Sequence, residues 1–344
     1  MPPHYANFKG QLYRLLDRRF ETYFSDERTN TIRLDEVRWG GVEQDGIPPL
    51  RNPQLEKAEL ADWLKDDHIV FGTVVNGQAR AYPKRILGWH ELVTDTLGGT
   101  AITGVYCTLC GSMIVYASEI DDKHYQLGTS GFLYRSNKLM YDQATQSLWS
   151  TIEGKPVIGP LVGKGLQLKG LSVVTTTWGE WKRRHPTSTV VSLNTGFQRD
   201  YSEGEAYREY FATDILMFAV PHQDTVLYNK DEVFCLNLPE YHQQPVAIST
   251  RFLARQKRYT LNIGNLNVLV LTDKSGASRA YDVSDFQFRR WDRDQNLVDA
   301  RQVSWRLQED ALVSEKGERC LRLPAHRAFW FGWRAAHPNT RVIL

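Results

Sequence analysis

Short β-branched and aromatic runs broken by turn residues set the pattern of this chain. Ile69 to Val75 is one such run, Asn76-Gly77 follows, and residues 78–82 continue it. Asn-Gly between two such runs predicts a hairpin, because both residues accept positive φ. Pro83 can open a short helix, since its missing N–H is not needed in a first turn. That helix carries Trp89 and His90. Gly98-Gly99 turns the chain into a strand over 100–106, a second strand is predicted over 113–120, and Asp121-Asp122 turns again. More strand-like segments follow to Leu168. Trp178, Trp181 and His185 then fall on one face of a short helix, at i, i+3 and i+7. Pro186 ends it, and residues 188–193 read as a strand. Upstream, residues 56–65 read as a helix with Leu60 and Leu64 on one face. Residues 1–45 look like an N-terminal extension holding a short amphipathic helix over 12–24, and residues 45–49 read as a turn or linker. Short turns join the strands and long helical crossovers are scarce. The expected fold is therefore mainly β (α+β), with mostly antiparallel strands and a few short helices.

The chain also matches itself. Residues 178–191 align without a gap on residues 330–343, pairing Trp178 with Trp330, Trp181 with Trp333, His185-Pro186 with His337-Pro338 and Val190 with Val342. Upstream, Trp149 and Trp305 precede these segments at similar distances. Val105 to Tyr116 can be laid on Val270 to Tyr281. The expectation is two diverged copies of one unit, residues 46–200 and 201–344, behind the extension. The Trp-x-x-Trp-x-x-x-His-Pro element stands in both copies and so reads as scaffold: aromatics anchor a helix to a sheet, and His185 and His337 hydrogen-bond or cap. Thr272 and Ser275 stand where Cys107 and Cys110 stand, so the thiols are a feature of the first copy alone. Function then sits on a fold without being the fold.

Cys107-Thr-Leu-Cys110-Gly111 is the sharpest chemical signal. Two thiols with two residues between them can share a metal or close a disulfide, which makes Cys107 and Cys110 the candidate catalytic residues. The glycine permits a tight turn that aims backbone N–H groups at the sulfurs. One pair supplies only two of the four ligands of a structural zinc, and no second Cys-x-x-Cys exists. A thioredoxin-like reading needs the first thiol at a helix N-terminus, whereas both flanks here look like strands. Further ligands are available in the same copy: His90, Met140, and behind them Met113 and His124. Two thiolates, a His and a Met suit copper, because soft ligands choose soft metals; thiolates with His suit zinc. Set against this, His90 also reads as a hydrogen-bonded core histidine, Met140 as core filler, and His124, beside Asp-Asp-Lys, as exposed. Cys235 and Cys320 are isolated and read as small buried hydrophobes.

Composition narrows the classes. Hydrophobic residues make up 42% and aromatics 12%, with ten Trp, which favours well-filled cores over disorder. The formal net charge is +2, and no long basic run appears, which argues against nucleic acid. Lys182-Arg183-Arg184 reads as one solvated helix face. No apolar run approaches the roughly 20 residues of a membrane span, and the N-terminus lacks a signal-like stretch. The expected location is cytoplasmic, or exported with the signal or anchor absent from this chain. Four Cys do not make a disulfide framework. Gly128-Thr-Ser-Gly131 lacks the spacing and lysine of a phosphate loop, and no dinucleotide fingerprint is present, so no nucleotide cofactor is expected. The partner is a small molecule or a protein whose identity the residues do not reveal.

At several stretches the chain resembles the bacterial proteins grouped as domain of unknown function 3179. They are residues 79–91 (Ala-Arg-Ala-Tyr-Pro-Lys-Arg-Ile-Leu-Gly-Trp-His-Glu), 106–111 (Tyr-Cys-Thr-Leu-Cys-Gly), 130–136, 139–142, 147–150, 159–161 and the Trp178 to Pro186 element. The resemblance runs from about Asp45 to the C-terminus. It implies no reaction. It places His90, Cys107, Cys110 and Met140 within family motifs, while Met113 stands where a smaller residue is expected. Members often look exported or lipid-anchored, a feature this N-terminus lacks. Three readings follow: a copper or zinc protein using Cys107, Cys110, His90 and Met140; a thiol–disulfide oxidoreductase using Cys107 and Cys110; or a ligand or partner binding module with an aromatic surface and structural thiols.

Overall fold

Asn76 and Gly77 take φ of 47° and 78°, and around them strands Ile69–Val75 and Gln78–Pro83 pair antiparallel. The computed structural model describes residues 3–221, 223–241 and 244–344 of the chain. Pro83 stands at the N-cap of helix Lys84–His90, which stops where Glu91 turns left-handed at φ 58°. A three-stranded antiparallel meander follows: Leu92–Leu97, Thr100–Cys107 and Ser112–Ala117. Strands Leu127–Tyr134 and Asn137–Asp142 then form a second hairpin. The chain returns through strand Val174–Thr177 and helix Trp178–Arg184 to strand Thr189–Val191. The outer two of these elements close the first sheet, in the order Val174–Thr177, Ile69–Val75, Gln78–Pro83, Thr189–Val191, Leu55–Lys57. Only the contact of Thr189–Val191 with Gln78–Pro83 is parallel in that sheet. The molecule is β-rich with mostly antiparallel sheets and short helices, as expected.

The second half follows the same order. Its sheet runs Ala325–Phe329, Glu232–Leu236, Val246–Ser249, Arg341–Ile343, again antiparallel, antiparallel, parallel. Helix Thr250–Gln256 leads into the meander Arg258–Ile263, Leu266–Thr272 and Ser278–Asp282. Helix Trp330–Ala336 leads into the last strand. The Trp181 indole donates to Ser188 Oγ and the Trp333 indole to Thr340 Oγ1, both at 2.9 Å. This likeness of order and pairing is what a duplication requires; superposing residues 178–191 on 330–343 is its measure.

The halves share apolar interior. Leu92, Val105, Met140 and Trp149 of the first half pack in one cluster with Val233, Cys235, Trp330 and Trp333 of the second. Trp178 and Trp181 lie in a separate cluster with Val70, Ala81 and Val190. Gly72 makes room for them: a Cβ there would lie 2.2 Å from the Trp181 ring. Trp149, Trp178, Trp181, Trp305, Trp330 and Trp333 are all fully buried, so none of them offers a gripping face. Cys235 and Cys320 are buried in apolar clusters, as their isolation suggested.

Several expectations change. Residues 56–65 are not a helix. Leu55–Lys57 is drawn into strand pairing with Thr189–Val191, and only one 3-10 turn, Ala58–Leu60, follows. Backbone pairing at a sheet edge overrides a weak helical period. The N-terminal helix spans Tyr5–Arg14, not 12–24. The Asp17 carboxylate then accepts from the Arg19 N–H and opens a 3-10 turn. The extension is tied into the fold. Met1 and Pro2 lie outside the described residues, but Phe20 and Phe24 pack on Phe132 at 4.7 and 5.1 Å between ring centroids, and Val37–Trp39 pairs with Leu127–Tyr134. Lys182-Arg183-Arg184 is not one solvated face, because the Arg184 side chain is only 3% exposed and bonds Glu180 at 2.6 Å. His185 and His337 do cap their helices, through backbone N–H groups on the Trp181 and Trp333 carbonyls. Their Nε2 atoms have no hydrogen-bond partner among the described residues; the rings pack at a tilt against Trp181 and Trp333, with centroids 4.2 and 4.3 Å apart. Among the described residues no helix is long and apolar enough to cross a membrane.

Two predictions follow from this packing. Trp181→Ala and Trp333→Ala should each destabilise the protein by about 3–5 kcal/mol in urea titrations, as large aromatic truncations do; a loss under about 1 kcal/mol at both would place the rings outside the core. The second concerns acid. His326 and His337 both pack on Trp333, and burial holds them at about 3 and about 4. An unfolded histidine titrates near 6.5. Between pH 6.5 and 4 the unfolded chain therefore binds protons that the folded one refuses. Stability is fully present above pH 6.5 and should fall as the pH drops, by roughly 1–2 kcal/mol per histidine at pH 5. Urea titrations at pH 8 and 5 should show this loss shrinking in His326→Gln and His337→Gln; an unchanged slope in both would assign it to other groups.

Candidate thiol site

The thiol hairpin closes where Cys107 pairs with Ser112. Between them the Cys110 N–H bonds the Cys107 carbonyl at 3.1 Å and the Gly111 N–H bonds that of Thr108 at 3.3 Å. Gly111 takes φ 59°, which a side chain resists, and the Phe329 ring fills the space a Cβ would need. The turn aims the N–H groups of Leu109 and Cys110 at the Cys107 sulfur, and the Lys138 N–H adds a third from the neighbouring hairpin.

These donors divide the two thiols. The hydrogen bond from the Cys110 thiol, with the backbone N–H groups, holds Cys107 below the usual thiol value against the effect of burial. Burial pushes Cys110 well above it. Cys110 Sγ lies 3.1 Å from the Ser136 carbonyl and Cys107 Sγ 3.9 Å. Both residues are buried, and no disulfide joins them.

A cavity of about 50 Å³ opens beside Cys107 and not beside Cys110. Glu91, Thr108, Lys138 and Tyr207 line it with Cys107. Thr108 Oγ1 donates to the Glu91 carboxylate, Tyr207 does so at 3.1 Å, and the Lys138 ammonium contacts the other carboxylate oxygen. Burial pulls Lys138 down to about 7. The Glu91 carboxylate opposes that fall, because an adjacent opposite charge favours the ammonium.

The second half supplies the cover. The Phe329 N–H donates to the Cys110 carbonyl at 2.7 Å, and Asn137 Nδ2 to the Gly332 carbonyl at 2.9 Å. A Cβ on Gly332 would lie 3.0 Å from the Cys110 sulfur. Tyr210 donates to the Leu109 carbonyl at 2.8 Å, and Ser136 Oγ to that of Phe218 at 3.1 Å.

The other candidate ligands lie elsewhere. His90 Nδ1 is 2.8 Å from the Pro48 carbonyl and must donate to it. Its Nε2 then accepts from the Tyr201 hydroxyl at 2.5 Å. Both nitrogens are engaged, and burial lowers the imidazole's pKa. Met140 packs with Leu92, Val105 and Trp149, outside the cluster that holds Cys107, Cys110, Leu109 and Phe331. Met113 faces a different core, with Val93 and Val115, and His124 is exposed. Among the described residues no group of three or more His, Cys, Asp and Glu is disposed to hold a metal ion. Glu91, Thr108, Lys138 and Tyr207 were not named as site residues from the sequence. Glu91 and Thr108 lie within the family stretches, beside His90 and Cys107, and Lys138 stands two residues before Met140; Tyr207 carries no such signal.

The buried pair makes a prediction. Glu91→Leu and Lys138→Met should each destabilise by about 3–5 kcal/mol, since each strands a buried charge, while the double substitution should lie much nearer wild type. Urea titration of the four proteins measures this, and simple additivity would show that the two side chains do not interact.

No curated protein and no solved structure matches the chain. Residues 44–340, which hold the thiol hairpin, the Glu91–Lys138 pair and the covering helix, match the model of a family described as "Protein of unknown function (DUF3179)", and the chain belongs to that family.

Proposed function

We propose that Cys107 and Cys110 are a dithiol–disulfide pair, with Cys107 the attacking thiolate and Cys110 the resolving thiol. What supports this reading is the division of acidity between two adjacent sulfurs, with the more acidic one facing the cavity. A thiolate is the nucleophile in disulfide exchange. In the reaction, Cys107 attacks one sulfur of a substrate disulfide. A mixed disulfide forms and the first substrate thiolate leaves. Cys110 then loses its proton and attacks the Cys107 sulfur, expelling the second substrate thiolate. The substrate gains two electrons and the protein loses two as the Cys107–Cys110 disulfide closes. An external dithiol returns the pair to the reduced state. The 50 Å³ cavity holds a water or two, so a substrate sulfur enters only when the segment carrying Tyr207 and Phe218 moves.

A second reading keeps the metal. Two adjacent sulfurs, one of them favoured as the thiolate by backbone N–H groups, also suit a soft ion such as cuprous copper, or zinc. This version uses the sulfurs alone, since His90 is engaged elsewhere.

One set of measurements separates the two. Under a glutathione redox series, wild-type protein should lose two hydrogens reversibly by mass spectrometry, and Cys107→Ser and Cys110→Ser should not form an internal disulfide. Cys107 should alkylate with a midpoint below the usual value of about 8.5, rising in Cys110→Ala. An inert pair at every potential would sink the redox reading. Retention of one zinc or copper ion per chain after dialysis, lost in the double serine variant, would put the metal reading in its place.

A further inference from the structure

A cleft of about 610 Å³ lies away from the thiols, where the two halves meet. The tip of the first hairpin, residues 74–77, forms one side with residues 169–172 and the end of helix Trp178–Arg184. Residues 306–310 and Arg322 of the second half form the other. The size is that of a metabolite site.

The charges on its walls are unevenly matched. Of its two carboxylates, Glu309 is held by Arg279 at 2.7 Å and Arg322 at 2.6 Å, and Asp310 by Arg319 at 2.6 Å. The donors are not used up. Arg322 is 8% exposed; it spends Nη1 on Glu309 and Nη2 on the Val173 carbonyl, yet its buried Nε has no partner among the described residues. His185 Nε2 makes no hydrogen bond among the described residues, and its nearest carboxylate, Glu309 at 3.7 Å, is an ion-pair contact rather than a bond. At the mouth, Lys169 and Arg306 are exposed, and neither has a carboxylate partner among the described residues. Arg184, also on the wall, is already bonded to Glu180.

An unsatisfied guanidinium N–H on a buried floor, under two free cations at the rim, calls for acceptor oxygens carrying negative charge. We infer that this cleft binds a small organic anion through a phosphate or carboxylate group, with His185 and Arg322 at its floor and Lys169 and Arg306 at its rim. The paired state of Glu309 and Asp310 is what allows it, because a bare carboxylate there would repel such a ligand. The site takes residues from both halves, so it exists only in the assembled molecule.

The test is calorimetric titration of the full chain with sodium phosphate and, separately, with succinate, at constant ionic strength. Saturable one-to-one binding of either anion is expected, and the anion that binds identifies the group recognised. The double variant Lys169→Ala, Arg306→Ala touches only exposed side chains and should fold normally by circular dichroism. It should weaken binding by about tenfold or more, equivalent to about 1.4 kcal/mol or more. Cys107→Ser, Cys110→Ser should bind as wild type, which keeps this site distinct from the thiols. Absence of saturable binding of both anions, or undiminished binding in the double variant, overturns the proposal.

Discussion

The structure depends on apolar surface that neither half can bury alone. Trp330 and Trp333 of the second half share a core cluster with Leu92, Val105, Met140 and Trp149 of the first. Burying large aromatics is the strongest favourable contribution available to a domain, and each such ring removes on the order of 150–250 Å² from water. If the halves separated, both faces of this cluster would return to solvent. The two halves of the chain thus show a similar order of elements and share a common interior.

Contact between the halves also builds the thiol site, in a separate apolar cluster with Leu109, Tyr210 and Phe331. Cys107 and Cys110 belong to the first half by sequence, yet helix Trp330–Ala336 lies over them so closely that Gly332 is the residue facing Cys110. Phe329, from the second half, fills the space beside Gly111 and bonds the Cys110 carbonyl. A half without thiols thus shields the thiols of the other. In such a dry setting hydrogen bonds to sulfur count for more than they would in water. This is why the Cys110 thiol's hydrogen bond, helped by a few N–H groups, suffices to set Cys107 and Cys110 apart.

The same burial explains the Glu91–Lys138 pair. Neither charge could stand alone at this depth. Thr108 and Tyr207 complete the carboxylate's partners, so the wall beside Cys107 is polar inside an apolar shell. Arg279, Asp273, Glu309 and Arg322 repeat the principle in the second half, where a buried ion network stands behind the cleft between the halves.

Much of the secondary structure was legible in the sequence, for local reasons. Asn76-Gly77 admits one kind of turn, Pro83 starts a helix, Pro186 ends one, and β-branched runs pair with their neighbours through short connections. The recurring Trp and His-Pro spacing marked the helices Trp178–Arg184 and Trp330–Ala336, and Cys107-Thr-Leu-Cys110 marked the site. Contacts distant in sequence decided the rest. Leu55–Lys57 became a strand because Thr189–Val191 offered it an edge. Residues 5–45 became part of the core because Phe132 gave Phe20 and Phe24 a surface to cover. His90 stands in a motif two strands before the thiols, but Pro48 and Tyr201, 42 and 111 residues away, hold its ring. Lys138 and Tyr207 reach Glu91 from other hairpins and loops for the same reason. By itself the sequence determined which residues can turn, cap or ionise, since those properties belong to a residue and its neighbours. Only the tertiary structure decided which of them meet, since burial and charge pairing depend on distances that chain position does not record.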